Sequence, residues 1–131
     1  MNRRIIITAS ILGMLAVIAG AFAAHGLKPL LTPTQLEIWH TAVQYQFYHV
    51  FALLFLSTFA SSEDNMARTA YYMFTLGIVL FSGSLYLLAC RDLLGWKWII
   101  AAGPVTPLGG LLFIAGWVTL ALAAFRNKLH A

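Results

Sequence analysis

The sequence predicts an all-α polytopic membrane protein, a bundle of about four transmembrane helices packed antiparallel. Three observations predict it. Of 131 residues, 61% are hydrophobic and only 9% charged, against about 25% charged in a soluble domain. A chain this short could not hide so much apolar surface in one water-bounded core. The apolar residues also fall into runs of roughly 20, the length that crosses a ~30 Å hydrocarbon layer as a helix. The length suits one domain, residues 1–131.

The first run, Ile5 to Ala24, carries no charge and follows Arg3 and Arg4. Ala21-Phe22-Ala23 imitates a signal-peptide cleavage site, but the run is long for a secretory apolar region. It is read as the first span, 5–24. A loop is expected from His25 to Leu31. A second helix then starts at Thr32-Pro33-Thr34-Gln35: Thr32 caps, Pro33 takes the first helical position and Gln35 bonds back to the cap. Its beginning is amphipathic, with Leu36, Trp39, Val43 and Phe47 on one face and Glu37, Thr41 and Gln44 on another. Unbroken from Pro33 to Ser61, it would be about 43 Å long, more than the hydrocarbon core. Either the start lies in the outer interface or the helix bends near Thr41, and the span proper is set at 41–62.

Ser61-Ser62-Glu63-Asp64-Asn65 is a polar turn that puts acids before the next helix, where the helix dipole favours them. The third span is 69–90 and the segment Arg91 to Lys97 a loop. The fourth is 104–125, with Gly103-Pro104 or Thr106-Pro107 as start signals. An even number of spans places both termini on one side, together with Arg3, Arg4, Arg68, Arg126 and Lys128. The other side has Lys28, Arg91 and Lys97. The positive-inside rule then puts both termini in the cytoplasm. Trp39, Trp96 and Trp98 would mark the outer interface and Tyr71 and Tyr72 the inner one.

The formal net charge is +4, yet no basic stripe runs along any helix, which excludes a nucleic-acid partner. The single cysteine, Cys90, permits no internal disulfide and reads as an inert small residue.

Several strings carry a family likeness: Gly20-Ala21-Phe22-Ala23-Ala24-His25; Trp39 with Thr41-Ala42; Tyr45-Gln46 with His49; Leu80-Phe81-Ser82-Gly83-Ser84-Leu85-Tyr86; and Thr106-Pro107-Leu108-Gly109-Gly110 with Gly116-Trp117. Together they resemble the YgdD/YwdK-like small bacterial membrane proteins, a domain-of-unknown-function family. The likeness covers nearly the whole chain. Ala23 departs from it, standing where a glycine is expected, and both residues are small. The resemblance implies a plasma-membrane location and a multi-span helical fold. It implies no reaction.

Ionisable and amide groups within a bilayer are functional hypotheses by default. His25 ends the first span. Gln46 and His49 lie one turn apart in the second, sharing a face with Gln35 and Ala42. Ser82, Ser84 and Tyr86 sit near the end of the third, and Thr106 begins the fourth. In an antiparallel bundle all seven candidates (His25, Gln46, His49, Ser82, Ser84, Tyr86 and Thr106) fall in the outer half. His25, Gln46, His49 and Ser84 are expected to converge on one buried patch. The inner half offers only hydroxyls such as Thr8, Ser57, Thr58, Thr75 and Thr119, which usually bond back to their own helix.

Each feature has a packing reading beside the functional one. Gln46 and His49 can fix neighbouring helices, a polar bond there contributing roughly 0.6 kcal/mol. Ser82-Gly83-Ser84, the Ala16, Gly20, Ala24 series, and Gly109, Gly110 and Gly116 permit close helix contact within or between subunits, from which a homo-oligomer is expected. Trp117 falls near mid-membrane, where packing suits it better than interface anchoring.

The chemistry on offer is narrow. A metal site needs three or four ligands, and His25 and His49 supply two, so no metal or cofactor is expected. Two histidines could ligate a haem, but the glycine-rich packing advertises no gap for the ring. Ser82 or Ser84 with His49 lacks an orienting acid. No carboxylate lies within a span to carry protons. The expected function is therefore a binding or helper protein in the lipid bilayer, more a non-enzyme than an enzyme. Its outer polar pocket would take a lipid headgroup, quinone or small solute. A subunit of a small-solute transporter or channel, and a His-based redox or enzymatic protein, are the alternatives.

Overall fold

Asn2 opens the first helix by capping it: its Oδ1 accepts from the amides of Arg4 and Ile5 at 3.1 and 3.3 Å, so two of the unpaired amides of a helix start are satisfied. The computed structural model describes residues 2–59 and 64–128. Four long helices dominate it. Helix α1 runs Arg3–Phe22 and continues through a π-helical turn, Ala23–Leu27. Helix α2 is Pro33–Phe59. Helix α3 begins at Asn65–Gly77, widens into a π-helical turn at Ile78–Ser82 and resumes over Gly83–Ala89. Helix α4 is Val105–Lys128. Among the described residues there is no strand.

Three boundaries differ from the sequence expectation. His25 to Leu27 is helical rather than loop, because buried Leu27 anchors an extra turn to the bundle. The expected loop Arg91 to Lys97 contains a helical turn, Arg91–Leu94, ended by Gly95 at φ 66°; only glycine adopts that left-handed conformation without penalty. A 3-10 helix, Lys97–Ala102, then leads into α4. Asp64 does cap α3, accepting from Met66 and Ala67, while Ser61, Ser62 and Glu63 lie outside the described residues.

The capping box at the start of α2 is formed in both directions. Gln35 N–H donates to Thr32 Oγ1 at 3.2 Å and Thr32 N–H to Gln35 Oε1 at 3.0 Å. The helix runs on past Thr41, whose hydroxyl bonds back to the Glu37 carbonyl. Its 27 residues measure about 40 Å at 1.5 Å per residue.

Of the four expected spans, three are long and apolar enough to cross a bilayer among the described residues, and the expected span 41–62 runs past those residues at its end. Among the described residues, the three are Arg3–Leu27, Asn65–Ala89 and Lys97–Arg126. Helix α2 is of similar length and more polar in its first half and middle, where Gln44, Gln46 and His49 stand.

Helix α1 packs along α2 and α3 along α4, and α2 crosses to the second half of α3. The apolar core draws on all four: Ile5 and Ala9, Val50, Leu53 and Leu56, Phe74 and Ile78, and Phe113. Outside it, Ile7, Ile11, Met14, Val17 and Ile18 stand exposed along α1, and Leu111, Ile114, Val118 and Leu122 along α4. Continuous apolar exteriors of this kind suit lipid as the surrounding solvent.

Small residues are used inside the chain. Ala16 is fully buried, and a side chain on Gly13 or Gly20 would meet Val50 or Val43 of α2. Gly109 lets α4 press on the π-helical turn of α3: a Cβ there would run into the Phe81 amide nitrogen.

Candidate functional site

Helix α2 carries its polar residues on the face the 3,4 spacing selects: Gln35, Ala42, Gln46 and His49 are all buried. Burial of an amide or imidazole is tolerable only with hydrogen-bond partners, and each polar group finds its own.

Gln46 bridges two helices. Its Nε2 donates to the Leu12 carbonyl of α1 at 2.8 Å, and its Oε1 accepts from the Tyr86 hydroxyl of α3 at 2.7 Å. Tyr86 packs in turn against Trp39, ring centres 4.5 Å apart. Trp39 donates its indole N–H to the Ala19 carbonyl at 2.9 Å. Trp39 is thus held between helices by its ring and its N–H.

His49, one turn on, faces α4. Its Nδ1 lies 2.7 Å from the Tyr45 carbonyl, and its Nε2 is 3.1 Å from Trp117 Nε1. A carbonyl can only accept and an indole N–H can only donate. The neutral tautomer with its proton on Nδ1 is the one form that satisfies both. The ring also stacks face to face on Phe113, centroids 3.5 Å apart and planes 6° from parallel. Both nitrogens are occupied, so the imidazole is neither an open base nor an open ligand.

Ser82 donates to the Ala42 carbonyl at 2.7 Å from within the π-helical turn. Ser84 donates to the Phe81 carbonyl at 2.9 Å and lies 2.6 Å from Thr106 Oγ1. With the Ser84 proton so engaged, Thr106 donates in that pair, joining α3 to α4. His25 is exposed on the widened turn that ends α1.

The seven candidates therefore separate. Gln46 and Tyr86 form one pair, Ser84 and Thr106 a second, His49 belongs to an aromatic group, Ser82 bonds backbone alone, and His25 stands outside. The single patch expected from matched depth does not form, because α2 turns Gln46 towards α1 and α3 but His49 towards α4. Among the described residues no three His, Cys, Asp or Glu side chains lie close enough to share a metal ion. Of the hydroxyls expected to bond locally, Ser57, Thr58 and Thr119 do so. Thr8 instead meets the Tyr71 hydroxyl at 2.8 Å. Thr75 Oγ1 is buried and has no partner among the described residues.

A cavity missed by the sequence reading lies beside His49. It has a volume of about 800 Å³ and is lined by Tyr45, Tyr48, His49 and Phe81, and by Pro107, Gly110, Leu111, Phe113, Ile114 and Trp117 of α4. It opens sideways between α2 and α4. Its walls are mostly aromatic, and Tyr48 and Trp117 are about half exposed in it. The signal that could have found it is Trp117. An indole N–H within an apolar helix needs an acceptor, and His49 supplies one.

A protein-family model described as "Protein of unknown function (DUF423)" matches residues 19–110. The UPF0382 membrane protein YwdK of Bacillus subtilis (strain 168) is 41% identical over 124 residues, 92% of this chain and 95% of that protein. The UPF0382 membrane protein SH2409 of Staphylococcus haemolyticus is 39% identical over 121 residues, 92% of this chain and 94% of its own. A UPF0382 membrane protein of Haemophilus influenzae is 35% identical over 130 residues, 98% of each. No solved structure matches this chain.

Proposed function

The chain belongs to the DUF423 family of membrane proteins, and from that premise we propose that it is a bilayer-embedded binding protein for a flat, ring-bearing amphiphile of the quinone kind. The ligand enters the cleft between α2 and α4 from the side. One observation carries the reading: an aromatic-walled cleft of about 800 Å³ that contains a buried histidine. Ligand sites are commonly apolar concavities of ~300–1,000 Å³ with a few placed polar groups. Here those groups are the Tyr45 and Tyr48 hydroxyls and the His49–Trp117 bond. A planar ring would stack on such walls with offset or edge geometry.

Binding is favoured over catalysis because both nitrogens of His49 are already bonded and no acid among the described residues bonds its ring. In this reading α2 completes a four-span bundle at 5–24, 41–62, 69–90 and 104–125, in the plasma membrane, with both termini cytoplasmic. The basic residues are distributed accordingly.

The test is titration of the full chain in lipid nanodiscs with a short-tailed benzoquinone, followed by tryptophan fluorescence. Saturable quenching is expected. It should disappear in Gly110→Leu, which fills the cleft from a position with room for a Cβ. Quenching that rises linearly without saturation, or that survives Gly110→Leu unchanged, overturns the proposal.

A further inference from the structure

At the opposite end of the bundle, where α1 begins, α4 ends and Asp64 caps α3, lies a second cavity of about 260 Å³. Its lining includes Asn2, Arg4, Asp64, Arg68 and Tyr71. The geometry points to this cavity as a binding site for the phosphate group of an anionic phospholipid. It is separate from the aromatic cleft and does not rest on that reading.

Two guanidinium groups, from different helices, line the cavity: Arg4 of α1 and Arg68 of α3. Guanidinium forks match phosphate oxygens two at a time. Both arginines are exposed, and so reachable. Arg4 is also positioned. Its guanidinium carbon lies 5.7 Å from the ring centres of both Tyr71 and Tyr72, within cation–π range. Tyr71 is itself fixed by its bond to Thr8. Arg68 donates one nitrogen to Asn65 Oδ1 at 2.6 Å, which orients the group and leaves other donors on it.

The carboxylate in the lining is already engaged. Asp64 Oδ1 accepts from Arg126 Nη2 at 2.6 Å and from the Met66 and Ala67 amides. The Arg126 charge offsets that of Asp64, and Arg4 and Arg68 remain as the excess positive charge among the described lining residues. The cavity also sits at the ends of apolar helices, the level of lipid headgroups. Basic pockets between helix ends at that level attract anionic lipids.

The experiment places the full chain in nanodiscs of phosphatidylcholine doped with phosphatidylglycerol. Lipids retained after extraction into mild detergent are counted by native mass spectrometry. Phosphatidylglycerol should be retained in preference to phosphatidylcholine. Arg4→Gln and Arg68→Gln should each lower that retention about fivefold, while Arg3→Gln, outside the cavity, leaves it unchanged. If Arg4→Gln does not fold, Arg68→Gln carries the test, with thermal unfolding as its folding control. Retention unaltered in Arg68→Gln, or an equal loss in Arg3→Gln, overturns the proposal. Displacement of the lipid by millimolar inorganic phosphate assigns the cavity to free phosphate and overturns the lipid assignment.

Discussion

The indole N–H of Trp117 donates to Nε2 of His49 across 3.1 Å, tying α4 to α2 in the wall of the lateral cleft. Trp117→Phe keeps a ring and removes the donor, leaving the buried His49 acceptor unpaired. A loss of about 1 kcal/mol is expected, measured by reversible unfolding in detergent. A double-mutant cycle with His49→Leu isolates the bond, with a coupling of roughly 0.6 kcal/mol. Additive effects would show that the two side chains contribute independently.

Gln46 makes a different prediction, because it has two partners. Gln46→Leu strands the Tyr86 hydroxyl and should cost about 1–3 kcal/mol. Adding Tyr86→Phe removes the stranded group. The double variant should be more stable than Gln46→Leu alone, by thermal melting in the same detergent. A double variant that is less stable would mean that Tyr86 has found another acceptor.

Two glycines, Gly109 in the α3–α4 contact and Gly83 outside it, should respond in opposite directions. Gly109→Ala drives a Cβ into the Phe81 backbone, and backbone cannot rotate aside. Overpacking of this kind costs about 1–3 kcal/mol. Gly83→Ala meets nothing within 4 Å and lies in a helix, so it should stabilise by about 0.5–1 kcal/mol. Equal effects in a side-by-side unfolding series would contradict the observed contact.

The Asp64–Arg126 pair predicts an acid-side loss of stability. Burial by itself would raise the Asp64 carboxyl, but the Arg126 guanidinium and the Ala67 and Met66 amides outweigh it and hold the group below the usual carboxylate range. A carboxyl with a folded pKa below its unfolded one stabilises fully above the unfolded value, about pH 4. That contribution fades as pH falls through the folded value. Asp64→Asn keeps a capping side chain and removes the charge. Its unfolding free energy should change less between pH 6 and pH 3 than that of the unaltered chain, by about 1 kcal/mol or less, since Arg126 is partly exposed. Parallel pH profiles would contradict the assignment.

Much of the fold is legible in the residues themselves. Apolar runs marked the long helices, and the Thr32–Gln35 box marked the start of α2 because capping is local chemistry. The 3,4 spacing of Gln35, Ala42, Gln46 and His49 selected a buried face for the same reason. What could not be read was the rotation of α2 relative to its neighbours. That rotation sends Gln46 to Leu12 and Tyr86 but His49 to Trp117. Depth follows from counting along a chain, whereas azimuth depends on ridge-into-groove packing between chain segments distant in sequence. The π-helical turns were equally invisible, having no compositional signature in Ala23–Leu27 or Ile78–Ser82.

Helix α2 carries a buried amide and a buried imidazole, Gln46 and His49, and these are bonded by groups on α1, α3 and α4. In the four-span reading this has a consequence for biogenesis. Insertion scales charge polar side chains at a helix centre against entry into lipid, so a nascent α2 emerging alone would partition poorly. Its amide first meets a partner on α1, already synthesised, and its imidazole must await α4, which is synthesised later. The membrane-inserted chain would then remain loosely assembled until α4 arrives, and truncation before Trp117 should leave α2 accessible to aqueous labelling reagents.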